Sequence, residues 1–175
     1  QVAWIIKDKE QNEISRVSKT IRPQGFDIPQ EAVDIHGIDT LKAKRTGEGL
    51  ISVLQLIIED ARLTDAFVGH NIDFDLNVII SEMHRVYGEN KLPSLKKICT
   101  MKLSTNYCKL PGYVGYKWPT LTELYNKLFE VNFSEAHDAL ADIDATSKCF
   151  SFLKKLEVIN EDDEEMMNEI AMVSK

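Results

Sequence analysis

The sequence predicts an α/β domain, with helices packed on a mixed sheet. Three observations lead there. Two strand-like runs open the chain, four later stretches carry apolar residues at helical spacing, and at least one short apolar strand lies between those helices. Residues 2–7, Val-Ala-Trp-Ile-Ile-Lys, form a continuous apolar run and read as a buried strand. Lys9-Glu10-Gln11-Asn12 is a polar turn, and residues 13–21 read as a more polar hairpin partner on a sheet edge. Pro23, Gly25 and Pro29 mark a loop. Leu50, Val53, Leu54, Ile57, Ile58 and Ala61 then define an amphipathic helix.

Residues 66–68, Ala-Phe-Val, read as a short buried strand that ends at Gly69. Phe74, Val78, Ile79, Met83 and Val86 mark the next helix, which stops near Gly88. Leu121, Leu124, Tyr125, Leu128 and Phe129 mark a shorter one after Pro119. Ala139, Ile143, Thr146, Phe150 and Leu153 mark the last long helix. No internal repeat or interdomain linker is visible. The expected organisation is one catalytic-type domain over residues 1–156 and a tail over 157–175. The tail holds the acidic block Glu161-Asp162-Asp163-Glu164-Glu165, which reads as a solvated arm. Met166, Met167, Ile170 and Val173 behind it have the spacing of a short helix.

Composition narrows the function. At 175 residues, 43% hydrophobic and 28% charged, the chain is ordinary for a globular domain. A net charge of -7 argues against coating nucleic acid by phosphate neutralisation alone. It is compatible with a site built from carboxylates, because bound cations restore local positive charge. Cys99, Cys108 and Cys149 are far apart and read as reduced thiols of a cytoplasmic protein. No apolar run approaches the roughly 20 residues of a membrane span, and no secretory leader pattern is present. The motifs of P-loop, zinc and serine-hydrolase chemistry are also absent from the sequence.

Two segments carry chemistry. Gly69-His70-Asn71-Ile72-Asp73-Phe74-Asp75 puts two aspartates just beyond a strand, in the first turn of a helix. Either one can simply favour that helix start through the macrodipole. Asn71 suits left-handed turn geometry and can equally hold a substrate or a water. Ala136-His137-Asp138-Ala139-Leu140-Ala141-Asp142 places a histidine five residues before an aspartate. On a regular helix the two would diverge by roughly 140°. They converge if His137 lies on the loop before the helix and Asp142 in its first turn. An imidazole with a pKa near 6.5 suits a general base at neutral pH. The plainer reading makes His137 a cap. His70 reads as a structural hydrogen-bonder, His84 as solvent-facing, and Trp118 as core or helix anchor. Lys42, Lys44 and Arg45 read as surface charges within reach of phosphates.

In order and spacing these motifs resemble the DnaQ-like exonucleases of the DEDDh type. His70-Asn71-Ile72-Asp73-Phe74-Asp75 resembles the family's second motif, HNxxFD, and His137-Asp138-Ala139-Leu140-Ala141-Asp142 its third, HxAxxD. Phe26-Asp27-Ile28-Pro29 followed by Ile35-His36-Gly37-Ile38 resembles the element that meets the 3′-terminal nucleotide. Tyr116-Lys117-Trp118-Pro119-Thr120-Leu121 also has the family's look. The resemblance covers about residues 1–156.

It implies a ribonuclease-H-like mixed sheet and a 3′–5′ exonuclease acting on single-stranded or frayed ends, DNA in the first instance and RNA as the other substrate class. It implies two divalent ions, Mg2+ or Mn2+, about 3.5–4 Å apart. Asp75 and Asp142 would be metal ligands, with Asp142 serving the ion that holds the attacking water. His137 would take the proton, and His36, Gly37, Ile38, Asn71 and Phe74 would position the nucleotide. A polymerase subunit is the protein partner it allows. One departure stands out: the family's first motif, DxE on the first central strand, should lie just before Gln1. Asp8-Lys9-Glu10 has that pattern but falls in the hairpin turn. The expectation is therefore an N-terminally incomplete domain, poorly active as given, with strands 2–7 and 66–68 left without their shared neighbour. The competing reading is a nucleic-acid- or polymerase-binding module that has lost catalysis.

Overall fold

A computed structural model describes residues 1–131 and 139–159. Its strands form two separate pairs instead of one continuous sheet. β1 (Val2–Lys7) pairs antiparallel with β2 (Glu13–Lys19), with Val2 opposite Lys19 and a register shift at Ile6/Lys7. β3 (Ala66–Gly69) pairs parallel with β4 (Lys96–Cys99), Ala66 opposite Lys96. Among the described residues no ladder joins β1 to β3; the two strands line a common cleft. The Asp8 carboxylate closes the β1–β2 turn by accepting from the Asn12 backbone N–H at 2.8 Å and side chain at 2.9 Å. That accounts for Asp8 as a turn residue.

The periodic helices appear where the spacing predicts them. α3 (Leu50–Ala61) buries Leu50, Val53, Leu54, Ile58 and Ala61. α4 (Ile72–Tyr87) ends at Gly88, whose φ of 78° is the left-handed cap that glycine adopts without strain. α7 (Leu121–Phe129) opens with a capping box: Thr120 accepts from the Glu123 N–H, and Glu123 accepts from the Thr120 N–H at 2.9 Å. α8 (Ala139–Lys155) packs on α7, β1 and β3, so it touches both strand pairs. An Arg16–Asp144 ion pair at 2.7 Å ties β2 to it.

Other elements differ from the reading above. The stretch read as loop contains α1 (Gln30–His36), and α2 (Thr40–Thr46) follows it. α1 buries no residue, so it leaves no apolar stripe to detect. β4 carries two lysines and becomes a strand because β3 offers it a backbone edge. Two four-residue helices, α5 (Thr100–Leu103) and α6 (Thr105–Cys108), follow it and are too short for a period to show.

The largest core cluster joins Ile98, Cys108, Leu124, Leu128, Cys149, Leu153 and Ile159 beneath α7 and α8. A second cluster lies between α3 and α4 around Met83, and a third around Ile72, Leu76, Cys99 and Met101. Ile159 is 4% exposed, so the packed body runs past residue 156. The acidic block falls outside the described residues. All three cysteines are free and buried, and desolvation pushes the Cys149 thiol up to about 12. Trp118 is 60% exposed, which removes it from the core. Among the described residues no helix is long and apolar enough to cross a membrane.

Candidate active site

Between β1 and β3 the protein encloses a cleft of about 460 Å³. Residues 1–6 and 66–69 form its sides, and Asp75 from α4 and Asp142 from α8 reach its lining. The sequence explains the placement of each carboxylate. β3 ends at buried Gly69, where a Cβ would come within 2.8 Å of Ile72 Cδ1 and 3.1 Å of its Cβ. Glycine therefore lets α4 start directly on the strand end. Asn71 makes the turn with φ 68°, ψ 45°, a left-handed conformation that asparagine tolerates better than most residues. The next turn brings Asp75 to the cleft. Asp142 lies in the first turn of α8, the helix that packs on both β1 and β3.

The two aspartates of α4 have different environments. Asp73 is bound by Lys102 at 2.7 Å and Lys97 at 3.7 Å, which hold its carboxyl below the usual range. It fastens α4 to β4 and α5. Asp75 is pushed the other way, first by desolvation from the cleft walls and then by the negative charge of Asp142; only a backbone N–H opposes. Its residue surface is still open, so the shift describes a partly solvated carboxyl and not a sealed one. A cleft carboxyl whose charged form is disfavoured by burial and by a second carboxylate attracts a cation.

His70 supports this region as a structural residue. Its Nε2 lies 2.9 Å from the Pro119 carbonyl and its Nδ1 3.0 Å from Thr100 Oγ1. The carbonyl can only accept, so Nε2 carries a hydrogen. The Thr100 hydroxyl, with one hydrogen to give, lies between Nδ1 at 3.0 Å and the Gly69 carbonyl at 3.2 Å. Burial lowers the His70 pKa from its ordinary 6.5, against the Pro119 carbonyl and Asp142, which raise it. The unfolded chain therefore binds this proton more readily than the folded one, and stability should fall as pH drops below 6.5. Urea unfolding at neutral and mildly acidic pH should show that loss, and His70→Gln should flatten it.

The structure brings some of the sequence-predicted residues together and leaves others apart. Asp75 and Asp142 share the cleft. Asn71 and Phe74 are exposed and flank lining residues in the chain, Phe74 at 66% exposure, but are not part of the lining itself. His36, Gly37 and Ile38 also lie outside the lining. Gly37 ends α1 in a left-handed cap with φ 67°, Ile38 is buried, and its N–H donates to His36 Nδ1 at 3.1 Å. His137 falls outside the described residues. Sequence reading missed Asp60, which lines the cleft and accepts from the Trp4 indole at 2.6 Å, tying β1 to α3. No spacing signals that pair, whose members are 56 residues apart.

Comparison with known proteins places the chain among exonucleases. The RNase T exonuclease family matches residues 1–150. A 3′-5′ exonuclease DinG from Bacillus subtilis (strain 168) is 36% identical over 91 residues, which is 51% of this chain and 9% of that protein. The chain thus spans a small fraction of the curated relative it matches. A solved structure of Exonuclease X, in complex with 5′ overhanging duplex DNA, superposes with a TM-score of 0.61. It is 23% identical and covers 96% of this chain and 87% of its own, a likeness of fold. With a family match over most of its length and a ribonuclease-H-like arrangement, the chain belongs to the DnaQ-like exonuclease family, a family of nucleases.

Proposed function

We propose that this domain is a metal-dependent 3′–5′ exonuclease that hydrolyses the terminal phosphodiester of single-stranded or frayed nucleic acid, DNA foremost. The observation that carries the reading is the convergence of Asp75 and Asp142, 67 positions apart by their numbers (142 − 75), on one cleft. The 3′–5′ polarity is supported by the name of the DinG relative, and DNA by the ligand named for Exonuclease X.

The donor set suits a hard divalent cation such as Mg2+ or Mn2+. Both groups are carboxylates, and the charge of Asp142 already disfavours ionised Asp75 until a cation compensates it. Among the described residues no group of three or more His, Cys, Asp or Glu side chains gathers as a ready cage. Asp75 and Asp142 would hold the metal, with water and phosphate oxygens completing the shell. When bound, such an ion supplies Lewis acidity and lowers the pKa of water. By holding such an ion, Asp75 and Asp142 would fix where the scissile phosphate sits. The His137 imidazole would accept a proton from the attacking water as the P–O3′ bond breaks, and the departing 3′ oxygen would take up a proton from solvent. His36, Gly37, Ile38, Asn71 and Phe74 are assigned to the terminal nucleotide.

Release of mononucleotides from a 3′-labelled single strand tests the reading. Release should require Mg2+ or Mn2+, stop with EDTA and be lost in His137→Ala. That no group of three or more His, Cys, Asp or Glu side chains gathers among the described residues favours one competitor, a nucleic-acid- or polymerase-binding module without catalysis. Metal-independent binding with no release at any metal concentration would establish that module and overturn the enzyme.

A further inference from the structure

We infer that the hairpin over residues 110–117, with Trp118 at its base, is a stacking platform for the bases of a single-stranded substrate approaching the cleft. The inference rests on the nuclease reading for its ligand and on three independent features for its location.

The first feature is exposure. The hairpin turns through Gly112-Tyr113-Val114-Gly115, closed by the Gly112 N–H to Gly115 carbonyl bond at 2.9 Å and the Lys117 N–H to Leu110 carbonyl bond at 3.0 Å. Gly115 takes φ 69°. The two central turn positions usually hold polar residues. Here they hold Tyr113, 106% exposed, and Val114, 85% exposed. Tyr116 and Trp118 are 49% and 60% exposed on the same element. Apolar side chains held this far into water contribute nothing to the core and mark a contact surface.

The second feature is anchorage. Pro119, directly after Trp118, is fully buried, and its carbonyl accepts from His70, a residue of the cleft lining. Leu110 packs on the main core at the other end. Both ends are therefore fixed, and the base of the hairpin is held to the cleft. A rigid aromatic platform loses little conformational entropy on binding.

The third feature is charge. From Asn90 to Thr122 the chain carries Lys91, Lys96, Lys97, Lys102, Lys109 and Lys117 without one Asp or Glu, in a protein of net charge -7. Several of these lysines pair with acids from outside the segment: Lys91 with Glu89, Lys97 and Lys102 with Asp73, and Lys117 with Glu123 at 2.6 Å. The segment is still the electropositive part of an acidic chain. Exposed aromatic faces on an element flanked in the chain by Lys109 and Lys117 match a polyanion whose bases are unpaired, since each base has a face to stack while phosphates meet the cations.

The test is binding of the whole chain to an oligodeoxyadenylate of about twelve nucleotides, a length within the usual single-strand site range. It is run in EDTA so that turnover does not enter. Tyr113→Ala and Trp118→Ala should each weaken binding by about tenfold, the scale of one lost stacked base. Tyr113→Phe should keep wild-type affinity. Saturating oligonucleotide should quench tryptophan fluorescence, and most of that quench should be lost in Trp118→Phe, which keeps only Trp4 of the cleft wall. An abasic strand of equal length should bind the wild type and Tyr113→Ala alike. Wild-type affinity in both alanine variants overturns the proposal, as does an equal loss of affinity for the abasic strand. The nuclease reading fails separately: if the parent chain releases no mononucleotide with Mg2+ yet shows the quench, the platform stands without the enzyme.

Discussion

Asp142→Asn should lower metal-dependent mononucleotide release by at least about 100-fold while leaving the fold intact. Loss of an outer-shell partner already costs 10–100-fold in metal affinity or activity, so loss of a direct ligand should exceed that range. Asp75→Asn should do the same. The effect of Asp75→Asn on the metal-free protein should not be a loss of stability. Desolvation and the Asp142 charge both disfavour the ionised Asp75 carboxyl, so a neutral amide removes a repulsion. The metal-free Tm of Asp75→Asn should therefore equal or exceed that of the parent, the usual trade between stability and activity at a charged site. Mn2+ at 100 times its Kd should stabilise the parent by about 2.7 kcal/mol through binding linkage. It should stabilise the Asp75→Asn and Asp142→Asn proteins far less. Thermal melts with and without Mn2+ read this independently of turnover. An Asp142→Asn protein with wild-type release and an unchanged Mn2+ shift would remove the metal role from this residue.

Leu153→Ala should produce the largest stability loss of any single truncation in α8. Leu153 is 0% exposed in the main cluster, beside Cys149 and Leu124. Its carbonyl also accepts from the Val158 N–H at 3.0 Å and the Ile159 N–H at 3.4 Å, where the chain turns back onto the core. Truncation removes the transfer free energy of the missing carbons and leaves a void that fixed neighbours cannot fill. The expected cost is about 2–5 kcal/mol. For a chain of this size, each kcal/mol lowers Tm by about 2–4 °C. Leu63→Ala is the control: Leu63 is 78% exposed, and its loss should stay within about 0.5 kcal/mol. Equal melting shifts in the two variants would contradict the assigned core. The consequence reaches the site as well, because the helix that buries Leu153 also carries Asp142 to the cleft.

Asp73 and Asp75 show where sequence reading stops. Both sit in the first turn of α4, and either could serve the helix dipole. The resemblance pointed to Asp75, but the physical distinction lies in partners distant in sequence. Lys97 and Lys102 neutralise Asp73, while the Asp142 charge acts on Asp75. His70 shows the opposite case. Its structural role was expected from its position beside a strand, yet its partners, Thr100 and Pro119, lie 30 and 49 residues away.

Local pattern determined what depends on local pattern. α3, α4, α7 and α8 were readable because each lays one apolar face on a core and repeats it at helical period. The β1–β2 hairpin was readable because its turn is polar and its strands adjoin in sequence. Motif order was enough to indicate the two cleft carboxylates. The tertiary structure alone decided which strand edges meet, why the lysine-bearing β4 is a strand, and that Trp118 faces water. It also decided that β1 and β3 stand on opposite sides of a cleft. Those features arise from contacts between residues far apart in the chain, which composition and periodicity do not encode.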